Sequence, residues 1–402
     1  MKASNKYIQI NTSLVNILQA LESRGHPQNT FESIHIVGTN GKGSVASFLE
    51  LLYCHYFPEK NIAKYTSPHL ISVTERIRVN CKEIAREDFD SLYASCHSEP
   101  QAKNFSGKRS FANAQDDTLA LTEFEKITLV AFEYFREQKV DIAILEAGMG
   151  ARWDATNTTD ASKRLATVLT NVALDHMDYL GETVEQIRIE KECIKRDGVP
   201  HFEGKYSESM PNSITGQNFL LALEVFHSLT GIDVSQEKQK SFIDAFGDHH
   251  KGRFVYKPEN KLIIDGAHNP AGAKLLNQFI RDTVADLNQK KVFVLAFLDK
   301  DYKSFCENLF SDILSPGDLI IATEVDSERK MPASVLATEL KQLCPRVEVI
   351  ESKSRPDLAV YQDNLKIVTG SLYLLGAVLA SHPDGKISRH PEERSDVRVH
   401  LP

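Results

Sequence analysis

The stretch His35–Glu50, HIVGTNGKGSVASFLE, runs from a β-branched segment through a glycine-rich turn into a helix-spaced segment. The turn is Gly38-Thr39-Asn40-Gly41-Lys42-Gly43-Ser44. Its glycines let backbone N–H groups close around phosphate oxygens, and Lys42 adds a point charge. The helix that follows turns its positive end toward the anion. The usual phosphate-loop spacing is G-x-x-x-x-G-K-[ST]; here Gly43 separates the lysine from Ser44. A glycine-rich connector with an incidental lysine is the plainer alternative, and the strand before and helix after argue against it.

Further along, chemistry-bearing residues recur where strands end. Glu146 in LEAGMGARWDATN closes an apolar strand, where a carboxylate needs a charge or a metal unless it meets solvent. Hard Mg²⁺ prefers oxygen ligands and bridges carboxylates to nucleotide phosphates. Asp175, His176 and Asp178 follow another strand in NVALDHMDYLG; His176 alone reads equally as a packed or solvated histidine, yet at a neighbouring strand end it can converge with Glu146. Asp265 and His268 end a strand in NKLIIDGAHNP, a place where acidic residues bind ribose hydroxyls, and Arg253 in HHKGRF sits where a guanidinium can reach a phosphate. Either group also reads as structural. Lys191 poses a different question. Val184, Ile187, Lys191 and Ile194 fall on one helical face, and a lysine on an apolar stripe needs a partner, a modification or a snorkelling route. If Ile189 and Cys193 mark the buried face instead, Lys191 is ordinary surface; periodicity leaves both open.

The elements that must position these residues alternate between strand and helix almost throughout, the pattern of a parallel sheet covered by helices. SIHIVGT, VDIAILEAG and ATVLTNVAL read as strands of a first unit, with Thr122 and Glu125 as a capping box opening a helix between them. A second run starts after HHKGRF: NKLIIDGAHNP, KVFVLAF, GDLIIATE, RVEVIES and LKIVTGS. The expected boundary lies near Lys251, giving a unit over 1–250 and another over 251–381. Residues 97–117 and 382–402 are polar and aperiodic and read as a flexible insert and a disordered tail. No internal repeat is found.

A length of 402 residues allows two or three domains. A formal charge of −8 argues against a nucleic-acid binder working by phosphate neutralisation. The N-terminus lacks the apolar core of a signal peptide, and no apolar run approaches the ~20 residues that span a bilayer. The six cysteines are scattered without a C-x-x-C pair, which reads as reduced thiols in a cytoplasm and no zinc site.

In order along the chain, GTNGKGS, YTSPHL with ERIRVN, LTEFEKIT, EAGMGARWDATN, LDHMDYLG, EKECIKR, GRF, DGAHNP, DKD and TGSLYL together resemble folylpolyglutamate synthase/dihydrofolate synthase, of the Mur ligase superfamily. The resemblance implies an α/β fold: a phosphate-loop central domain with a parallel sheet and a smaller Rossmann-like C-terminal α/β domain. It implies an ATP- and Mg²⁺-dependent ligase of folate biosynthesis and one-carbon metabolism. ATP would phosphorylate a carboxylate of dihydropteroate or a reduced folate, and the amine of L-glutamate would displace phosphate from the acyl phosphate. Gly38 to Ser44 and Asn218, with Arg253 and Asp265, would bind ATP. Ser67, Glu146 and His176 would hold the metal. Lys42, Lys191 and His268 are the expected catalytic residues, Lys191 being similar to a lysine the family carbamylates. A cytoplasmic monomer is implied, with no membrane or nucleic-acid partner. Departures from the family pattern are a short approach to the phosphate turn, a short link between IKRDGVPHF and GQNF, and added bulk in EKECI and GARW. The alternatives are another Mur-type amino-acid ligase and a truncated, non-catalytic ATP-binding remnant; a GTPase or kinase is disfavoured by Gly43 and the second unit.

Overall fold

The computed structural model describes residues 13–96, 121–205, 214–249, 252–253, 255–298, 302–354 and 356–381. The insert at 97–117, the tail at 382–402 and Lys251 lie outside them. Two sheets organise the chain. The first holds β1 (Glu32–Val37), β2 (Ile62–Tyr65), β3 (Ile77–Val79), β4 (Lys82–Glu83), β5 (Ile142–Glu146), β6 (Arg164–Leu169) and β7 (His201–Glu203), in the order β4-β3-β2-β5-β1-β6-β7. Its strands run parallel except β3, which pairs antiparallel with both β2 and β4 and forms with β4 the hairpin that closes one edge.

Both faces of this sheet are covered, so its central strands β1, β2, β5 and β6 are buried at nearly every position instead of alternating between inside and outside. In β5, Ile142 and Ile144 join a core with Phe48, Leu52, Phe219 and Val225. Those partners come from α2 (Lys42–Tyr56) and α7 (Ile214–Thr230). Ala143 and Leu145 point the other way, to Phe132 and Phe135 of α4 (Glu123–Glu137). Thr122 and Glu125 form the expected capping box at the start of that helix. Also in this unit are α1 (Val15–Ser23), α3 (Arg86–Ser95), α5 (Met177–Leu180), α6 (Val184–Glu192) and α8 (Gln236–His249).

The second sheet is ordered β12-β11-β10-β13-β9-β8, from β8 (Val255–Lys257), β9 (Leu262–Ile264), β10 (Lys291–Leu295), β11 (Leu319–Thr323), β12 (Glu348–Ser352) and β13 (Leu365–Thr369). Only β8 runs antiparallel. The helices α9 (Pro270–Thr283), α10 (Tyr302–Phe310), α11 (Ala333–Leu343) and α12 (Leu372–Ser381) cover its faces. In β10, Val292 and Val294 belong to one core and Phe293 and Leu295 to the other.

One strand is shorter than its sequence suggests. ATVLTNVAL reads as continuous strand, but β6 stops at Leu169. Just past its end, Thr170 N–H still donates to the Val37 carbonyl at 2.9 Å, and the Thr170 hydroxyl donates to the Asn40 carbonyl at 2.6 Å, tying the loop to the turn after β1. The loops after β1, β5 and β6 therefore share one edge of the first sheet, where ligands of such sheets bind. Among the described residues no helix is long and apolar enough to cross a membrane.

Candidate functional site

The turn after β1 is held from below by the loop after β6. Thr39 N–H donates to the Asn171 carbonyl at 2.9 Å, and Asn40 N–H to Asn171 Oδ1 at 2.8 Å. Those two amides are thus used inside the protein. The amides an anion would meet are those at the start of α2, which helix geometry leaves without intrahelical partners. Two glycines are sterically required. A Cβ at Gly38 (φ 152°) would lie 1.8 Å from Thr170 Oγ1, and one at Gly41 (φ 85°) 2.6 Å from Asn218 Oδ1. Gly38→Ala is therefore expected to displace Thr170 and weaken ADP binding at least tenfold, measured by titration calorimetry. Asn218 is buried on α7 against this turn.

Lys42 Nζ donates to the carbonyls of Gly38 at 3.2 Å and Thr39 at 3.4 Å and stands 3.9 Å from Glu146 Oε1. Lys191 reaches the same place from α6, a helix opened by a capping box of Thr183 and Gln186. Its stripe is the buried one: Ile187, Lys191 and Ile194 are inside, Ile189 is exposed, and Val184 emerges at the end of the stripe. Lys191 Nζ donates to the Gly38 carbonyl at 2.8 Å. Two ammonium groups thus converge on one carbonyl oxygen. Burial, reinforced by the Lys42 charge, pushes the Lys191 pKa down to about 7.

Glu146, at the end of β5, is 5% exposed and accepts the Ser67 N–H at 3.2 Å. Burial raises its pKa, against the opposing charges of Lys42, Arg253 and Lys64 and the Ser67 hydrogen bond. Of these charges, that of Arg253 acts on the carboxylate from the second unit. Glu146 and Ser67 suit a hard cation, since Mg²⁺ is commonly held by one or two carboxylates, water and phosphate oxygens. Among the described residues no three or more His, Cys, Asp or Glu side chains gather as a ready-made metal cage. His176 opens α5 with φ 51°, its Nε2 3.9 Å from Asp175 Oδ2.

His268 approaches the same Asp175 oxygen from the second unit, its Nε2 also 3.9 Å away and its Nδ1 2.9 Å from the Gly266 carbonyl. Asp265 is 2% exposed and accepts the Ala267 N–H, shaping the turn that carries His268. The residue that ties this turn to the first unit is one the sequence reading passes over. Asn269 Nδ2 donates to Asp175 Oδ2 at 3.0 Å and Asn40 Oδ1 at 3.3 Å, while its Oδ1 caps α9 through Gly272 N–H. The signal in the sequence is Asn before Pro at a helix start, which marks a cap but not the second use of the side chain. Asn269→Asp keeps the cap and replaces the bridging donor by an acceptor facing Asp175. It is expected to lower kcat/KM for ATP at least tenfold with little change in Tm, read by steady-state kinetics and thermal melts.

Comparison with known proteins gives a consistent picture. Residues 253–381 match the family model described as dihydrofolate synthetase, C-terminal domain. The chain is 28% identical to dihydrofolate synthetase of Saccharomyces cerevisiae, over 93% of this chain and 98% of that protein. It is 38% identical to dihydrofolate synthase/folylpolyglutamate synthase of Mycobacterium tuberculosis, over 46% of this chain and 36% of that protein. Among solved structures, folylpolyglutamate synthase of Mycobacterium tuberculosis complexed with ADP and AMPPCP superposes with a TM-score of 0.75 at 25% identity, covering 92% of this chain and 95% of that one.

Proposed function

The chain belongs to the folylpolyglutamate synthase/dihydrofolate synthase family, and from that membership and its site we infer that it is an ATP-dependent ligase joining L-glutamate to dihydropteroate, a reduced folate or both. The observation that carries this reading at the level of residues is the meeting of Lys42, Lys191 and Glu146 around Gly38 at the mouth of the phosphate turn.

The reaction transfers the γ-phosphoryl group of ATP to a carboxylate, and the glutamate amine then attacks the acyl phosphate, releasing phosphate. Such chemistry needs positioning and charge neutralisation and no protein nucleophile. The start of α2 would hold the β- and γ-phosphates, with Lys42 leaving its carbonyl partners to meet the charge that develops between them. Arg253, Asp265 and His268 would contact ATP from the second unit, and Asn218 would lie on its adenine side. Glu146, Ser67 and His176 are the proposed holders of Mg²⁺, which when bound would neutralise phosphate oxygens. Lys191 is the proposed site of carbamylation. With a pKa of about 7 it offers a substantial fraction of free amine at neutral pH, the form that reacts with CO₂. Carbamylation would also turn a cation crowding Lys42 into an anion that attracts it. A monomer in the cytoplasm, working on small molecules alone, completes the proposal, in keeping with six free thiols and a formal charge of −8.

The test is phosphate release by the purified chain with Mg-ATP and L-glutamate, with and without dihydropteroate, then with tetrahydrofolate. Release that depends on dihydropteroate supports the dihydrofolate synthase reading, and release with tetrahydrofolate adds chain extension. A chain that binds ATP and releases no phosphate with either acceptor overturns the reading and leaves a nucleotide-binding remnant.

A further inference from the structure

Leu70 belongs to the first unit by sequence, yet it packs against the core of the second, with Leu262, Ile264, Leu374 and Leu375. The surface that receives it is cut by two glycines. A Cβ at Gly376 would lie 2.0 Å from the Leu70 carbonyl oxygen and 3.0 Å from its carbonyl carbon. A Cβ at Gly252 would lie 2.7 Å from Leu70 Cδ1. Gly252 has φ +76° and suits glycine for that reason too. Gly376 sits inside α12 with no positive φ, so it is the Leu70 backbone that leaves no room there for a side chain.

The segment that bears Leu70 is braced. Glu75 accepts the N–H groups of Leu70 at 2.8 Å and of Ile71 and Ser72 at 2.9 Å each, and it completes a capping box with Ser72. Arg76 Nε donates to His69 Nδ1 at 2.9 Å. A braced segment transmits displacement in place of absorbing it. Three residues upstream is Ser67, whose N–H meets Glu146. On the other side of the contact, Gly252 is followed directly by Arg253, whose charge reaches the same carboxylate.

We propose that Leu70, seated against Gly376, is a positioning residue that registers the second unit on the first and thereby sets Ser67 and Arg253 about Glu146. The inference rests on the reading of Glu146 and Ser67 as metal-holding and of the turn as nucleotide-binding, and it goes beyond that reading by assigning what aligns them. Leu70 touches no reacting atom in this scheme.

The experiment uses the full chain and the variants Gly376→Ala, Leu70→Ala and Leu70→Met. Two quantities are read on each: kcat for phosphate release at saturating ATP as MgCl₂ is varied, and the ratio of ADP Kd values without and with MgCl₂ by calorimetry. Expected for Gly376→Ala and Leu70→Ala is a tenfold or larger fall in kcat, a several-fold rise in half-saturating MgCl₂, and a several-fold loss of the Mg²⁺ effect on ADP binding. ADP affinity without metal should stay within about threefold. Leu70→Met, which conserves volume, should retain both quantities near wild type. Should Gly376→Ala fail to fold, Leu70→Ala carries the same test without a clash. Wild-type MgCl₂ dependence in the variants overturns the inference, as does a loss explained wholly by a smaller active fraction. A wild-type chain without ligase turnover counts against the function proposed above, while the calorimetric ratio still decides the role of Leu70.

Discussion

Replacing Lys191 by methionine is expected to lower phosphate release about 10²–10³-fold, the range seen when one preorganised charged or hydrogen-bonding group is removed from a site. Methionine keeps the volume of a side chain that is 3% exposed, so the loss should come without collapse of α6 onto the turn. The pH dependence of stability separates charge from packing. The folded-state pKa of Lys191 lies near 7, below its value of about 10.5 in an unfolded chain. Between those limits the unfolded chain binds more protons, so stability rises with pH, by about 1.4 kcal/mol per unit for this group. Below pH 7 both states are protonated and the cost of burying the ammonium is constant. The wild type should therefore gain on Lys191→Met as pH rises from 7 to 9.5, in denaturant titrations with CO₂ removed. Restoring bicarbonate at pH 7.5 should raise wild-type turnover and leave the variant unchanged. Turnover of Lys191→Met within threefold of wild type would remove Lys191 from the reaction.

Much of this site was legible because its signals are local. A strand, a glycine turn and a helix over Glu32–Tyr56 are encoded in adjacent residues, as is the capping box of Thr122 and Glu125. Lys191 was half legible. Periodicity placed it on an apolar stripe, but a 3.6-residue repeat offered a rival face through Ile189, and only packing decides which is inside. What the sequence hid are contacts over long separations. Nothing within a few residues of Asn269 announces Asp175, 94 positions away. Gly376 looks like a small residue in an apolar helix until Leu70 is laid against it. The run of β-formers through Thr170 announces a strand, and the bond of its hydroxyl to the Asn40 carbonyl, 130 positions away, is invisible in that pattern. The interior and turns follow from short-range pattern; the alignment of two units follows from tertiary contact.

Glu146→Gln should separate stability from activity in the opposite sense. Burial raises the folded-state pKa of Glu146 above its ordinary value, with Lys42, the Ser67 N–H, Arg253 and Lys64 offsetting part of the cost. A raised carboxylate pKa means that its favourable contribution is present below the unfolded value and is lost as pH rises through the folded one. At neutral pH the ionised carboxylate is thus a burden on the fold, and a neutral amide of the same shape relieves it. Glu146→Gln is expected to melt at or a few degrees above the wild-type Tm at pH 7.5, with the difference shrinking toward pH 4.5. Phosphate release should nonetheless fall about 10²–10³-fold, because an amide neither draws Lys42 from 3.9 Å nor offers charge to a divalent cation. Raising MgCl₂ should not restore it. A fall in Tm at pH 7.5 would mean that Lys42 and Arg253 hold Glu146 as a structural ion pair. Full turnover in the variant would move the metal elsewhere. A gain in stability with loss of turnover is what a carboxylate held in a dry site for its chemistry should give, since a residue kept for packing loses both together.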